Sequence, residues 1–157
     1  MKFSIALRNL LVVLFGALVL SACSTAKKSD ITGDVYTGTE TIEYLAKGVP
    51  DRVFFATNKS NLTTAARDTL RKQATWLRKN KSLTVTVEGH ADERGTREYN
   101  LALGERRANA AKDYLMTYGI SGKRISVISY GKEKPVNPAS NPLAWSQNRR
   151  SVTVKTN

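Results

Sequence analysis

The first rhythm in the chain is an unbroken apolar one. Leu10 to Leu20 reads LLVVLFGALVL, interrupted only by Gly16, behind a short segment that carries Lys2 and Arg8 and no acid. As a helix this stretch rises about 16 Å, roughly half of a bilayer's hydrocarbon core, so it is too short to span and has the layout of a secretory leader. From Ser24 to Thr41 the pattern reverses. Ala26, Ile31, Val35 and Tyr36 are the only apolar positions, with neither a helical nor a strand period. Such a stretch buries too little surface to offset the entropy of ordering, which predicts a flexible tether over 23–48, with a reach on the order of 30 Å.

Beyond Val49 the periods become structural. Arg52 to Phe55 reads as a short strand, and Leu62, Ala66, Leu70, Ala74 and Leu77 recur at helical spacing across Asn61 to Asn80, with Thr63 or Thr64 as N-cap. Leu83, Val85 and Val87 alternate with Thr84, Thr86 and Glu88 as a half-buried strand that Gly89 ends. Ala108, Ala111, Leu115 and Tyr118 form the stripe of a second helix from Arg97, stopped by Gly119. Ile125, Val127 and Ile128 predict a third strand, Val152 and Val154 a fourth, and Pro135 to Pro142 a loop between them. The order βαβαββ predicts an α/β fold, a two-layer sandwich with the helices on one face of a mixed sheet.

Composition narrows the class. The chain has 157 residues, 25 Lys plus Arg against 13 Asp plus Glu, one Cys and one His. One Cys closes no intrachain disulfide, and one Cys with one His makes none of the usual zinc or iron-sulfur ligand sets, so no metal or other cofactor is expected. Leu20-Ser21-Ala22-Cys23 resembles the lipobox of bacterial lipoproteins, which implies removal of residues 1–22 as a signal peptide and lipidation of Cys23. Ser24, in place of an Asp, implies onward export to the outer membrane, with the folded part facing the periplasm. The domain organisation is then leader 1–22, lipidated Cys and tether 23–48, and folded domain 49–157. Processing leaves a net charge of +10, and an exported chain of that charge meets wall carboxylates and anionic headgroups rather than nucleic acid.

Candidate chemistry gathers after the second strand, in Gly89-His90-Ala91-Asp92-Glu93-Arg94-Gly95. Arg107 shares the packed stripe of the next helix, and a guanidinium half out of water needs a partner. Spacing leaves two readings open. Asp92 or Glu105 pairs with Arg107 in a structural ion pair, or Asp92 and Arg107 face a common cleft and hold a zwitterion, ammonium on Asp92 and carboxylate on Arg107. His90 reads as a turn residue hydrogen-bonded to backbone, Trp76 and Trp145 as packing residues, and the charge runs Arg78–Lys81, Lys123-Arg124 and Lys132–Lys134 as solvated or facing anions.

Gly89-His90-Ala91-Asp92, Gly95, Tyr99-Asn100-Leu101-Ala102-Leu103, Arg106-Arg107-Ala108-Asn109-Ala110 and Gln147-Asn148-Arg149-Arg150-Ser151-Val152 resemble the successive motifs of the OmpA-like peptidoglycan-binding domain family, over roughly Val53 to Val154. The run from Glu88 to Arg107 is most like the lipoprotein branch that works with the Tol proteins. The resemblance implies a non-catalytic domain that binds the diaminopimelate stem peptide of peptidoglycan. Asp92 would hold the ammonium, Arg107 the adjacent carboxylate and Leu103 an apolar wall, with Ala91 and Thr96 beside the ligand. Asn58, with Thr57 before it, stands where the family often has a second acid. Asn100 is expected to fix the loop, and Arg149 to cap a strand or add positive charge. The implied partners are peptidoglycan and TolB, with TolA as a further one and the outer membrane reached through the lipid; the implied role is envelope integrity and constriction at division. A wall-cleaving hydrolase is the competing class, but a glycosidase needs two carboxylates flanking the bond, and the adjacent Asp92 and Glu93 diverge. A module serving mainly Tol proteins is the third.

Overall fold

The computed structural model describes residues 31–156. Residues 1–30, which hold the expected leader, Cys23 and the start of the tether, lie outside the described residues. Two short hairpins come first, β1 (Ile31–Thr32) with β2 (Val35–Tyr36) and β3 (Tyr44–Ala46) with β4 (Val49–Pro50). The order continues with β5 (Arg52–Phe54), α1 (Thr64–Lys79), β6 (Val85–His90), α2 (Arg97–Thr117), a 3-10 turn at Gly122–Arg124, β7 (Ile125–Gly131), α3 (Pro142–Asn148) and β8 (Arg150–Lys155).

The main sheet runs β5-β8-β6-β7. β6 and β7 are parallel, Val85 opposite Ile125, and β8 is antiparallel to both of its neighbours, Val53 opposite Ser151 and Val87 opposite Thr153. The parallel pair follows from the α2 crossover, and β8 enters between β5 and β6. One face carries the core, with Val53, Phe55, Val85, Val87 and Ile125 packed against Leu70, Ala74 and Leu77 of α1 and Ala108, Ala111 and Leu115 of α2. β8 faces α1 with a polar residue: Thr153 Oγ1 donates to Gln73 Oε1 at 2.8 Å, which satisfies two buried side chains at once.

Both long helices are capped from the sequence. Thr63 accepts from the Ala66 N–H at 3.2 Å, and Thr96 from the Tyr99 N–H at 3.2 Å. α2 lies so close to β6 that a methyl group at Gly89 would come within 1.8 Å of the Gly104 carbonyl oxygen. Only two facing glycines permit this approach, and it sets the start of α2 beside the end of β6, where the candidate residues gather.

Four expectations change. Gly89 does not end the second strand, which runs on through His90. The stretch between the last strands contains α3, with Pro142 in its first turn and Asn141 accepting from the Ala144 N–H at 2.9 Å. The tether expected over 23–48 overlaps folded chain: from Ile31 on, the hairpins are paired, and Tyr36 is buried edge-to-face on Phe54 with ring centroids 4.8 Å apart. Burying an aromatic ring of that size contributes about 1.5–3 kcal/mol, enough to hold a short polar hairpin. Arg124, expected in a solvated or anion-facing loop, instead donates to the carbonyls of Leu77, Asn80 and Leu83 and closes the end of α1.

Candidate functional site

The loop after β6 is held on three sides. The Ala91 N–H donates to the Gly131 carbonyl at 2.8 Å, Asn100 Nδ2 to the Arg94 carbonyl at 2.8 Å, and Lys132 Nζ to the Gly95 carbonyl at 2.7 Å. Gly95 turns the chain at φ 89°, a left-handed conformation that suits glycine. Ala91 and Asn100 are therefore buried supports, and Thr96 is the cap of α2.

Asp92 is buried at the centre of this loop. Its Oδ1 accepts from the Arg94 backbone N–H at 3.1 Å, closing a local Asx turn, and the Arg94 guanidinium donates through Nε at 3.1 Å and Nη2 at 2.8 Å. Arg149 Nη1 donates to Asp92 Oδ2 at 3.3 Å. Burial alone would raise the Asp92 pKa, but the Arg94 and Arg149 donors outweigh it and hold the carboxyl below its ordinary value of 3.8. The two cations differ in access. The Arg149 side chain is 4% exposed and also donates to the Phe55 carbonyl at 3.1 Å, whereas Arg94 is 42% exposed and sits over Trp145, its Cζ 4.4 Å from the ring centroid.

Arg107 differs from both sequence-based readings. It pairs with neither Asp92 nor Glu105. Its Nε donates to the Lys59 carbonyl at 2.9 Å, Nη1 to the His90 carbonyl at 2.8 Å and Nη2 to the Ala56 carbonyl at 3.1 Å, and the residue is 0% exposed. Burial and the neighbouring Arg149 push its pKa down to about 10, partly offset by the charge of Asp92. Arg107 thus ties the turn after β5 to the end of β6 from beneath the site. Leu103 is likewise buried. His90 is also not the turn residue expected. Its backbone carbonyl serves Arg107, but its ring is buried on the sheet face opposite the helices, tilted against Tyr130 with the Lys134 backbone beside it.

A pocket of about 300 Å³ opens beside Asp92, lined by Asp34, Thr57, Arg94, Trp145 and Arg149. Thr57 Oγ1 accepts from Arg94 Nη2 at 3.3 Å. Trp145, expected only to pack, donates through Nε1 to Glu93 Oε1 at 2.8 Å and forms a wall. Asn58 is exposed at φ 54°, the left-handed region that Asn tolerates better than most residues, which gives it a turn-forming task whatever else it touches. Sequence reading missed Asp34, Arg94 and the role of Trp145. The Asp92-Glu93-Arg94-Gly95 run carried a signal for Arg94, since Asp two residues before a donor closes an Asx turn; nothing local pointed to Asp34 or Trp145.

Comparison with known proteins shows the family and the fold. The OmpA family model matches residues 54–149. The peptidoglycan-associated lipoprotein of Rhizobium meliloti is 45% identical, over 96% of this chain and 89% of its own length. The crystal structure of the peptidoglycan-associated lipoprotein from Burkholderia pseudomallei superposes with a TM-score of 0.66 at 34% identity, covering 68% of this chain and 90% of that one. The C-terminal domain of Helicobacter pylori MotB shares the fold, with a TM-score of 0.64 at 20% identity over 68% of this chain and 84% of that one. The chain belongs to the OmpA family, in the branch formed by the peptidoglycan-associated lipoproteins.

Proposed function

We propose that this chain is a non-catalytic outer-membrane lipoprotein whose domain binds the diaminopimelate stem peptide of peptidoglycan and so ties the membrane to the wall. The observation that carries the reading is Asp92: a buried carboxylate, kept ionised, whose partners Arg94 and Arg149 line the adjoining pocket together with Asp34, Thr57 and Trp145. A zwitterion suits such a site. The ligand ammonium replaces the exposed Arg94 on Asp92, and its carboxylate meets the remaining guanidinium donors. Cys23 carries the lipid, and TolB and TolA are the protein partners, TolB on a face that overlaps the wall site. In that setting the protein supports envelope integrity and constriction at division.

Purified wall sacculi test this with the mature chain in detergent. Asp92→Ala is expected to weaken co-sedimentation on the order of tenfold or more, the range for losing a hydrogen bond to a charged group. Undiminished binding by that variant rejects the site, and release of soluble muropeptides from the sacculi rejects the non-catalytic reading in favour of a hydrolase. Cys23→Ser is expected to leave wall binding intact and to move the protein out of the outer-membrane fraction. Retention there counts against the lipid anchor.

A further inference from the structure

The β1–β2 hairpin places a carboxylate of the chain itself in the pocket. Asp34 follows Gly33, whose φ of 64° makes the tight turn, and its side chain turns toward Arg149. Arg149 Nη2 donates to the Asp34 carbonyl oxygen and, at 3.1 Å, to Oδ1, while the Thr57 backbone N–H donates to Oδ2 at 2.6 Å. Both carboxylate oxygens are thus held, one by a guanidinium and one by a backbone amide, as an incoming carboxylate would be. Arg94 completes the likeness. It sits on Asp92 as a cation, and the charges of Asp34 and Arg94 bear on each other. The chain's own pair lines the pocket in the pattern of a zwitterion.

We infer that Arg149 and the Thr57 N–H form the carboxylate subsite of the wall ligand, and that Asp34 occupies this subsite until the ligand displaces the hairpin. The inference rests on the wall-binding reading above and assigns the carboxylate to Arg149, which lines the pocket, rather than to Arg107, which is 0% exposed and does not line it. Two features make displacement feasible. The hairpin's own pairing is only two residue pairs, Ile31 with Tyr36 and Thr32 with Val35, so displacement works chiefly against the Tyr36 ring seated on Phe54. Asp34 is the exposed partner, its side chain 45% accessible against 4% for Arg149, so releasing it returns one carboxylate to water and leaves the buried guanidinium for the ligand. Any fraction of molecules with Asp34 seated lowers the apparent affinity by the same fraction.

The test compares the mature chain, Asp34→Asn and Arg149→Lys on purified sacculi. Asn keeps the size of the side chain and weakens its hold on Arg149, so Asp34→Asn is expected to bind about tenfold tighter than the parent, and Arg149→Lys about tenfold weaker with the fold retained by circular dichroism. Amide hydrogen exchange supplies a second readout: with muropeptides bound, protection at Val35 and Tyr36 is expected to fall while that of β6 is kept. Parent-like or weaker binding by Asp34→Asn overturns the inference, provided the parent binds. Protection at Tyr36 that survives ligand binding overturns it as well. If the parent itself fails to bind sacculi, the wall-binding reading falls instead.

Discussion

Replacing Arg107 by Met is expected to lower the unfolding free energy by about 2–6 kcal/mol, the cost of leaving two buried carbonyls without their donor. The side chain is fully buried and spans three carbonyls on two separate segments, Ala56 and Lys59 after β5 and His90 at the end of β6. Met fills most of the volume but donates nothing. The Lys59 and His90 carbonyls then lose a donor, each at about 1–3 kcal/mol if they stay buried. Desolvation works the other way, since burial and Arg149 push the guanidinium pKa down to about 10, partly offset by the charge of Asp92, and at that value the group stays charged at neutral pH. Arg107→Lys is expected to recover part of the loss, one ammonium replacing a fork of three directed bonds. Urea unfolding of both variants, run beside sacculus binding, decides what Arg107 does. A variant that loses binding with stability within about 1 kcal/mol of the parent makes Arg107 a ligand contact; loss of both together makes it the tie beneath the site.

What the sequence shows of this fold is whatever depends on period. Leu70, Ala74 and Leu77, or Val85 and Val87, declare their faces because burial repeats at the period of the element, and all of them lie in the core. The misses have other causes. α3 hides in the sequence because Pro135 to Pro142 reads as loop, although Asn141 before Pro142 is itself a helix-start signal. The hairpins hide because their composition is polar, and the residue that docks the first, Tyr36, owes its burial to Phe54, which no local pattern connects to it. The site divides in the same way. The Asp92–Arg94 turn is local and readable, whereas Arg149 reaches Asp92 only because β8 inserts between β5 and β6. For Arg107, spacing revealed a buried cation in need of partners but suggested carboxylates. The partners are carbonyls at the ends of loops, which any residue type supplies, so the sequence carries no mark of them.

Acidification from pH 6.5 to pH 4.5 is expected to cost about 2–3 kcal/mol of stability, and His90→Gln to remove most of that slope. The ring is 1% exposed, and Nε2 lies 3.4 Å from Glu88 Oε2 without a hydrogen bond. Desolvation first, then the charges of Arg150, Arg52 and Lys134, push its pKa down to about 3. An unfolded His takes its proton near pH 6.5, so between about 6.5 and 3 the unfolded chain binds a proton that the folded chain refuses. Stability therefore falls as pH drops through that window, by about 1.4 kcal/mol per unit once well below 6.5. The carboxylates act at or below the bottom of this window: Asp92 and Asp34 are held below 3.8 and Glu93 below 4.5, so their contributions fade as pH falls through and below those values. With one His in the chain, the slope between pH 6.5 and 4.5 belongs mainly to His90. Urea unfolding at pH 7.0, 5.5 and 4.5 on the parent and on His90→Gln measures it. A flat profile in the parent means that Glu88 pairs with a protonated ring and cancels the burial cost, and the neutral-imidazole account fails.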